Sequence, residues 1–129
     1  MPDSKGRMVV CIDFDGVIHE YDGFKGPGVF NGPVAGAAEA LRYLKDAGWV
    51  VIIYTTRAEV ELIADWLIEH NILFDEINQH HETYNNPMNP GKPHADVYVD
   101  DKAVRFEGDW DDTLNQLVYS EIRPWWERR

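Results

Sequence analysis

Cysteine is nearly missing from this sequence: Cys11 is the one example in 129 residues, so no disulfide framework forms within the chain. Its place inside the apolar run "MVVCID" marks it as a packed thiol rather than a nucleophile or ligand. Also missing is any run near the roughly 18 apolar residues of a membrane span, and no signal-peptide pattern precedes Met8. A soluble, cytoplasmic protein is the expectation. Basic residues are scarce, 12 against 23 acidic, and the formal net charge of -11 repels polyanions and anionic membrane surfaces unless a local patch reverses the sign. Internal repeats, low-complexity tracts and linkers are absent too. With 44% hydrophobic residues, residues 1–129 read as one domain with a real core and little room for a second.

What is present is an alternation of strand and helix patterns. Met8 to Asp13 reads as a strand buried on both faces, the near-continuous apolar type of parallel sheets. A Gly- and Pro-rich excursion, "YDGFKGPGVFNGP", follows, and then Val34, Ala37, Ala38, Leu41 and Leu44 recur at helical spacing until Gly48 stops the helix. "WVVIIY" is a second buried strand, ending at Thr55, Thr56 and Arg57. Val60, Ile63, Ala64, Leu67 and Ile68 mark one face of a second helix. A short strand "LFDEI" leads into the polar loop "NQHHETYNNPMNPGKP", whose length points to a functional role. "DVYVDD" is the fourth strand, and a brief edge strand is expected near Val104 to Phe106. Asp109 then caps a last helix with Trp110, Leu114, Leu117, Val118 and Ile122 inward. The fold class is α/β: a single Rossmann-like, doubly wound domain with a mostly parallel sheet and right-handed crossovers.

Open α/β sheets bind ligands beyond the carboxyl ends of their strands. The first strand delivers Asp13 and Asp15 there, the second Thr55, the long loop Lys92, and the fourth strand Asp100 and Asp101. Carboxylates gathered on one rim repel one another, and a hard divalent cation with oxygen ligands is the usual compensation. Mg²⁺ fits best, because it keeps several waters and binds through a few carboxylates plus substrate phosphate. Zinc does not, for want of a convincing Cys/His cluster. His80 and His81 with Glu82 lack further ligands at recognisable spacing and read as polar loop, and Arg57 reads as an exposed residue at a helix start.

In these motifs the chain resembles the haloacid dehalogenase (HAD) superfamily of phosphotransferases, from Met8 to about Trp110. An apolar strand ending DxD and then Gly matches "CIDFDG", and an apolar strand ending in Thr or Ser matches "VVIIYTTR". A Lys followed by an apolar strand ending in an acidic pair matches "GKPHADVYVDD". The resemblance implies a Mg²⁺-dependent phosphatase, a phosphoric monoester hydrolase. Asp13 would attack phosphorus and form an aspartyl phosphate. Asp15 would give a proton to the leaving oxygen and later take one from water. Thr55 and Lys92 would hold phosphoryl oxygens, the family's T-x-R pattern favouring Thr55 over Thr56. Mg²⁺ would sit on the Asp13 side chain, the Asp15 backbone carbonyl and Asp100, with Asp101 a ligand through water or a partner orienting Lys92. An acid at position 15 separates the chain from the family's dehalogenases and ion-pumping ATPases.

Family members usually insert a cap domain after the first motif or between the second and third, and this chain has space for neither. The resemblance is therefore to the small capless type, with an open site. Such a site suits a small phosphate ester held by the loops "HEYDGFKGPGVF" and "HHETYNNPMN", a phosphoprotein or nucleic-acid end, or a homo-oligomer in which a second subunit is the cap. A small phosphorylated molecule is the first expectation, with no membrane partner and nucleic acid disfavoured by charge. The C-terminal "RPWWERR" gathers Arg123, Arg128 and Arg129 around Trp125 and Trp126. It reads as a helix end packing its tryptophans on the body or on another subunit, with base stacking as the alternative. Other classes remain as well: a catalytically silent phosphate- or metal-binding module of the same fold, and a response-regulator receiver. The order acidic pair, Thr, Lys, acidic pair suits a hydrolase better than a receiver.

Overall fold

Two five-residue runs of apolar, mostly β-branched residues, VVCID and VVIIY, lie side by side and are buried on both faces except at their last residues, as the centre of a parallel sheet requires. The computed structural model describes residues 2–82, 92–119 and 124–127. Within them the order is β1 (Val9–Asp13), α1 (Ala37–Asp46), β2 (Val50–Tyr54), α2 (Val60–Glu69), β3 (Glu76–Ile77), β4 (Val97–Val99) and α3 (Trp110–Tyr119), then a 3-10 turn at Trp125–Glu127. The four strands are all parallel, in the order β3-β2-β1-β4. This is the expected α/β, Rossmann-like class.

Alternation along β1 and β2 sorts their side chains between two faces. Val10, Ile12, Val51 and Ile53 pack with Leu41 of α1 and with Ile63, Trp66 and Leu67 of α2. Val9, Cys11, Val50 and Ile52 pack on the opposite face with Ala95. Cys11 is buried and unbonded, and burial pushes its thiol up to about 12, which keeps it protonated and inert.

Helix ends follow local chemistry. At the end of α1, Gly48 has φ 89°, its N–H donates to the Lys45 carbonyl and that of Trp49 to Leu44. This is a Schellman stop, and glycine supplies its left-handed residue without strain. Asn71 does the same for α2 at φ 59°, with Asn71 donating to Ile68 and Ile72 to Leu67.

At the amino edge of the sheet, Asp96 and Asp75 act alike. Asp96 N–H donates to the Val9 carbonyl while its carboxylate accepts from Val9 N–H, and Asp75 makes the same exchange with Val51. Each carboxylate satisfies a strand N–H that has no ladder partner.

Three expectations need correction. Residues 104–106 form no strand, so β4 is the edge of the described sheet. In α2, Trp66 turns inward and Ile68 outward, because the Trp66 indole N–H is drawn to the Asn31 carbonyl. In α3, the Asp109 carboxylate caps the helix as expected, accepting from the N–H groups of Asp111 and Asp112. The apolar stripe, however, faces outward: Trp110 is 66% exposed and Leu117 56%, Leu114 and Val118 are exposed as well, and Thr113 is the buried position. Periodicity establishes that a stripe exists, not which way it turns. Ile122 lies outside the described residues. Among the described residues, no helix is long and apolar enough to cross a membrane.

Candidate active site at the carboxyl edge of the sheet

Asp13 ends the central strand, in register with Tyr54 of β2, while Ile12 is in register with Val99 of β4. Parallel pairing thus places Asp13 between Tyr54–Thr55 on one side and Asp100–Asp101 on the other. Carboxylate oxygens of Asp13, Asp100 and Asp101 all lie within 4.8 Å of one another. Burial first, then hydrogen bonding with Asp101 and the charges of Asp100 and Asp101, pushes the Asp13 carboxyl up to about 8. Oδ1 of Asp101 is buried with no hydrogen-bond donor. A set of hard oxygens with one orphaned atom is balanced by a shared proton or by a cation, and the set suits Mg²⁺.

Asp15 belongs to a different environment. Its carboxylate turns away from that group: Oδ1 accepts from His19 Nδ1 at 2.8 Å and from Arg57 Nη2 at 3.0 Å, and Oδ2 from Arg57 Nε at 2.7 Å. Burial alone would raise its pKa, but the His19 and Arg57 hydrogen bonds and the Arg57 charge outweigh it and hold the carboxyl below its ordinary value. Asp13, Asp100 and Asp101 are therefore brought together as expected, whereas Asp15 has only its backbone carbonyl left for a cation on that side.

His19 and Arg57 are the two residues that sequence reasoning undervalued. His19 is buried, its ring stacked on Phe14 at 5.1 Å and edge-on to Trp66 and Phe30. Its Nε2 accepts from the Asn31 backbone N–H at 2.8 Å, which assigns the ring proton to Nδ1, facing Asp15. Arg57 is buried rather than exposed. It also donates to Glu59 Oε1 at 2.9 Å, and the flap rings of Phe24, Phe30 and Tyr21 surround its guanidinium at 5.0–5.9 Å. The T-x-R pattern carried the Arg57 signal. Nothing in the spacing marked His19.

Thr55 is buried, and its Oγ1 accepts from the Arg57 backbone N–H at 3.0 Å, so the hydroxyl proton is available to another acceptor. The side-chain amide of Asn78 holds the Thr55 backbone, Oδ1 accepting from N–H and Nδ2 donating to C=O. Thr55, Thr56, Asp13, Asp15, Tyr21 and Lys102 line one cavity of about 210 Å³. Lys92, Asp13, Cys11, Tyr98 and Asp100 line another of about 270 Å³. Lys92 Nζ stands 3.9 Å from the Tyr98 ring centroid, a cation–π contact it must leave to meet a ligand. Asp101 does not orient Lys92: its Oδ2 is taken by the Trp126 indole N–H at 2.7 Å. The tryptophans therefore pack on the body, while Arg123, Arg128 and Arg129 lie outside the described residues.

His80, His81 and Glu82 also bring ligand atoms within 4.8 Å of one another. The two rings are stacked, 4.4 Å apart and 20° from parallel, and a metal bound in the plane of one would lie out of the plane of the other. Their bonds are structural: His81 Nε2 meets Asp3 Oδ2 at 2.9 Å, and Glu82 accepts from Ser4. The start of the long loop is thereby pinned to the turn at residues 3–7. Most of that loop, residues 83–91, lies outside the described residues.

No family model matches the chain, and no curated protein matches it. Among solved structures it is similar to a conserved protein from Bacteroides thetaiotaomicron, at 21% identity and a TM-score of 0.61, over 89% of this chain and 93% of that one. At that identity the likeness supports the α/β fold alone.

Proposed function

We propose that the chain is a Mg²⁺-dependent phosphoric monoester hydrolase of the HAD type, working through an aspartyl phosphate on Asp13. The observation that carries this reading is the position of Asp13. It stands between a carboxylate group fit for a cation and a cavity lined by Thr55 and Asp15. Asp13 would attack phosphorus in line, with the P–O bond to the leaving group breaking as the Asp13–phosphorus bond forms. Thr55 would donate its hydroxyl proton to a phosphoryl oxygen, and Lys92 would leave the Tyr98 ring to meet another. Bound Mg²⁺, held by Asp13, Asp100, Asp101 and the Asp15 carbonyl, would neutralise phosphoryl charge.

Asp15 is ionised in its pairing with Arg57, the state needed to take a proton from water in the second half-reaction. In the first it must arrive protonated, so Arg57 and His19 set the pH at which the acid form is available.

The test is phosphate release from an aryl phosphate with and without Mg²⁺. Mg²⁺-dependent release that disappears in Asp13→Asn is expected. Release that survives in a folded Asp13→Asn protein would remove the covalent route. The second reading, a silent phosphate- or metal-binding module, draws on the Asp15–Arg57 pair, which keeps the general acid occupied. It predicts Mg²⁺ binding with no turnover on any phosphate monoester.

A further inference from the structure

We infer that the C-terminal tryptophans belong to the cation site, with Trp126 a positioning residue that fixes Asp101 by its indole N–H. This inference rests on the cation site proposed above, and not on the hydrolytic step.

Three contacts and one unpartnered atom support it. Trp126 Nε1 donates to Asp101 Oδ2 at 2.7 Å. With Oδ2 taken, Oδ1 is left buried and without a donor, in the group it forms with Asp13 and Asp100. Trp125 Nε1 donates at 2.7 Å to the carbonyl of Gly16, the residue after Asp15. The Trp126 ring stands edge-on to Tyr21 of the flap, 5.4 Å between centroids and 89° between planes.

The close approach leaves no space at residue 16. A Cβ on Gly16 would lie 2.2 Å from Asp101 Oδ2 and 2.7 Å from Trp126 Nε1.

An indole N–H can only donate. It therefore takes one oxygen of Asp101 as acceptor and restrains the carboxylate's rotation. Partners that orient a metal ligand in this way typically change affinity 10–100-fold. Trp125 restrains the other side of the site, because the Gly16 carbonyl belongs to the same turn as the Asp15 carbonyl. The segment at 124–127 thus brings an aromatic wall to the rim while it holds a ligand in place.

The experiment is a Mg²⁺ titration of the full chain, read by calorimetry and by indole fluorescence. Trp126→Phe keeps an aromatic ring and removes the N–H, and its affinity is read by calorimetry. Its Mg²⁺ affinity should fall about 10–100-fold, while Trp110→Phe, changed at an exposed position, should match wild type. Asp101→Asn should lose the fluorescence response, and the double variant should bind no more weakly than Asp101→Asn alone, because Trp126 acts on the cation only through the Asp101 carboxylate. Wild-type affinity in folded Trp126→Phe, or additive losses in the double variant, would overturn the inference. If Trp126→Phe does not fold, a fluorescence response retained in Asp101→Asn overturns it instead. A wild-type protein with no saturable Mg²⁺ response would remove the cation site itself, and this inference with it. Mg²⁺ binding without phosphate release would leave it standing and sink only the hydrolase.

Discussion

Asp13 and Asp15 stand two residues apart at one strand end, and their carboxyls experience opposite fields. Asp13 is buried, beside two more acids, and is pushed up to about 8. Asp15 faces a guanidinium and an imidazole N–H and is held down. The strand ends at Asp13, and the turn that follows, closed by hydrogen bonds to the Phe14 carbonyl, aims Asp15 elsewhere, so the two side chains meet different neighbours, β4 for one and the flap with Arg57 for the other. Two identical residues thereby acquire separate chemistry: one is crowded toward needing a cation, the other kept ionised by buried donors.

The strongest break of this contrast is Asp13→Asn. Turnover should fall by at least about a thousandfold, with thermal unfolding showing an intact fold. Without Mg²⁺ the variant should melt above wild type, since a carboxyl that is costly to bury beside two acids is gone. A lower melting temperature would deny the crowding.

Arg57→Ala acts on the other half. It strands Asp15 and Glu59, and unfolding should become easier by about 3 kcal/mol, as measured by denaturant titration. The acid limb of the pH–rate profile should move upward as Asp15 loses the Arg57 hydrogen bonds and charge. An unmoved limb would separate Asp15 from the proton transfer.

A pH series separates the two halves without mutation. The folded Asp13 carboxyl titrates near 8 against an ordinary 3.8, so between these values the folded state holds a proton that the unfolded state lacks. Asp13 therefore lowers stability as pH rises from about 4 to about 8 in metal-free protein. Asp15, shifted downward, contributes stability above its ordinary value and loses it as pH falls through the folded one. Melting temperatures with chelator and with Mg²⁺ should diverge most near pH 8.

The smallest effect is expected from Asp100→Asn, whose side chain is exposed. It should reduce the Mg²⁺-induced rise in melting temperature by a few degrees, read by calorimetric scanning. No reduction would remove Asp100 from the ligands.

The sheet was legible because β1 and β2 are buried on both faces, which leaves an apolar run nothing else can explain. Four candidate acids were legible for the same reason, since they interrupt or follow such runs. Less could be read where a side chain's direction depends on tertiary neighbours. Nothing local shows that Asp15 turns toward Arg57, or that His19 lies in a nest of aromatic rings. The spacing of α3 gave a stripe but not its outward facing. Residues 104–106 have strand-like composition, yet among the described residues no neighbouring strand offers them a ladder.

Gly16 is made early and its contacts are made late. The hydrogen bond from Trp125 to its carbonyl spans 109 residues, so the rim around Asp13 stays half built until Trp125 and Trp126 have emerged. A ribosome-bound chain that has emerged only through β4 can pair all four strands of the described sheet, but it has nothing to hold Asp101. Any side chain at position 16, where φ is 85°, would block that last docking step while leaving the earlier sheet intact.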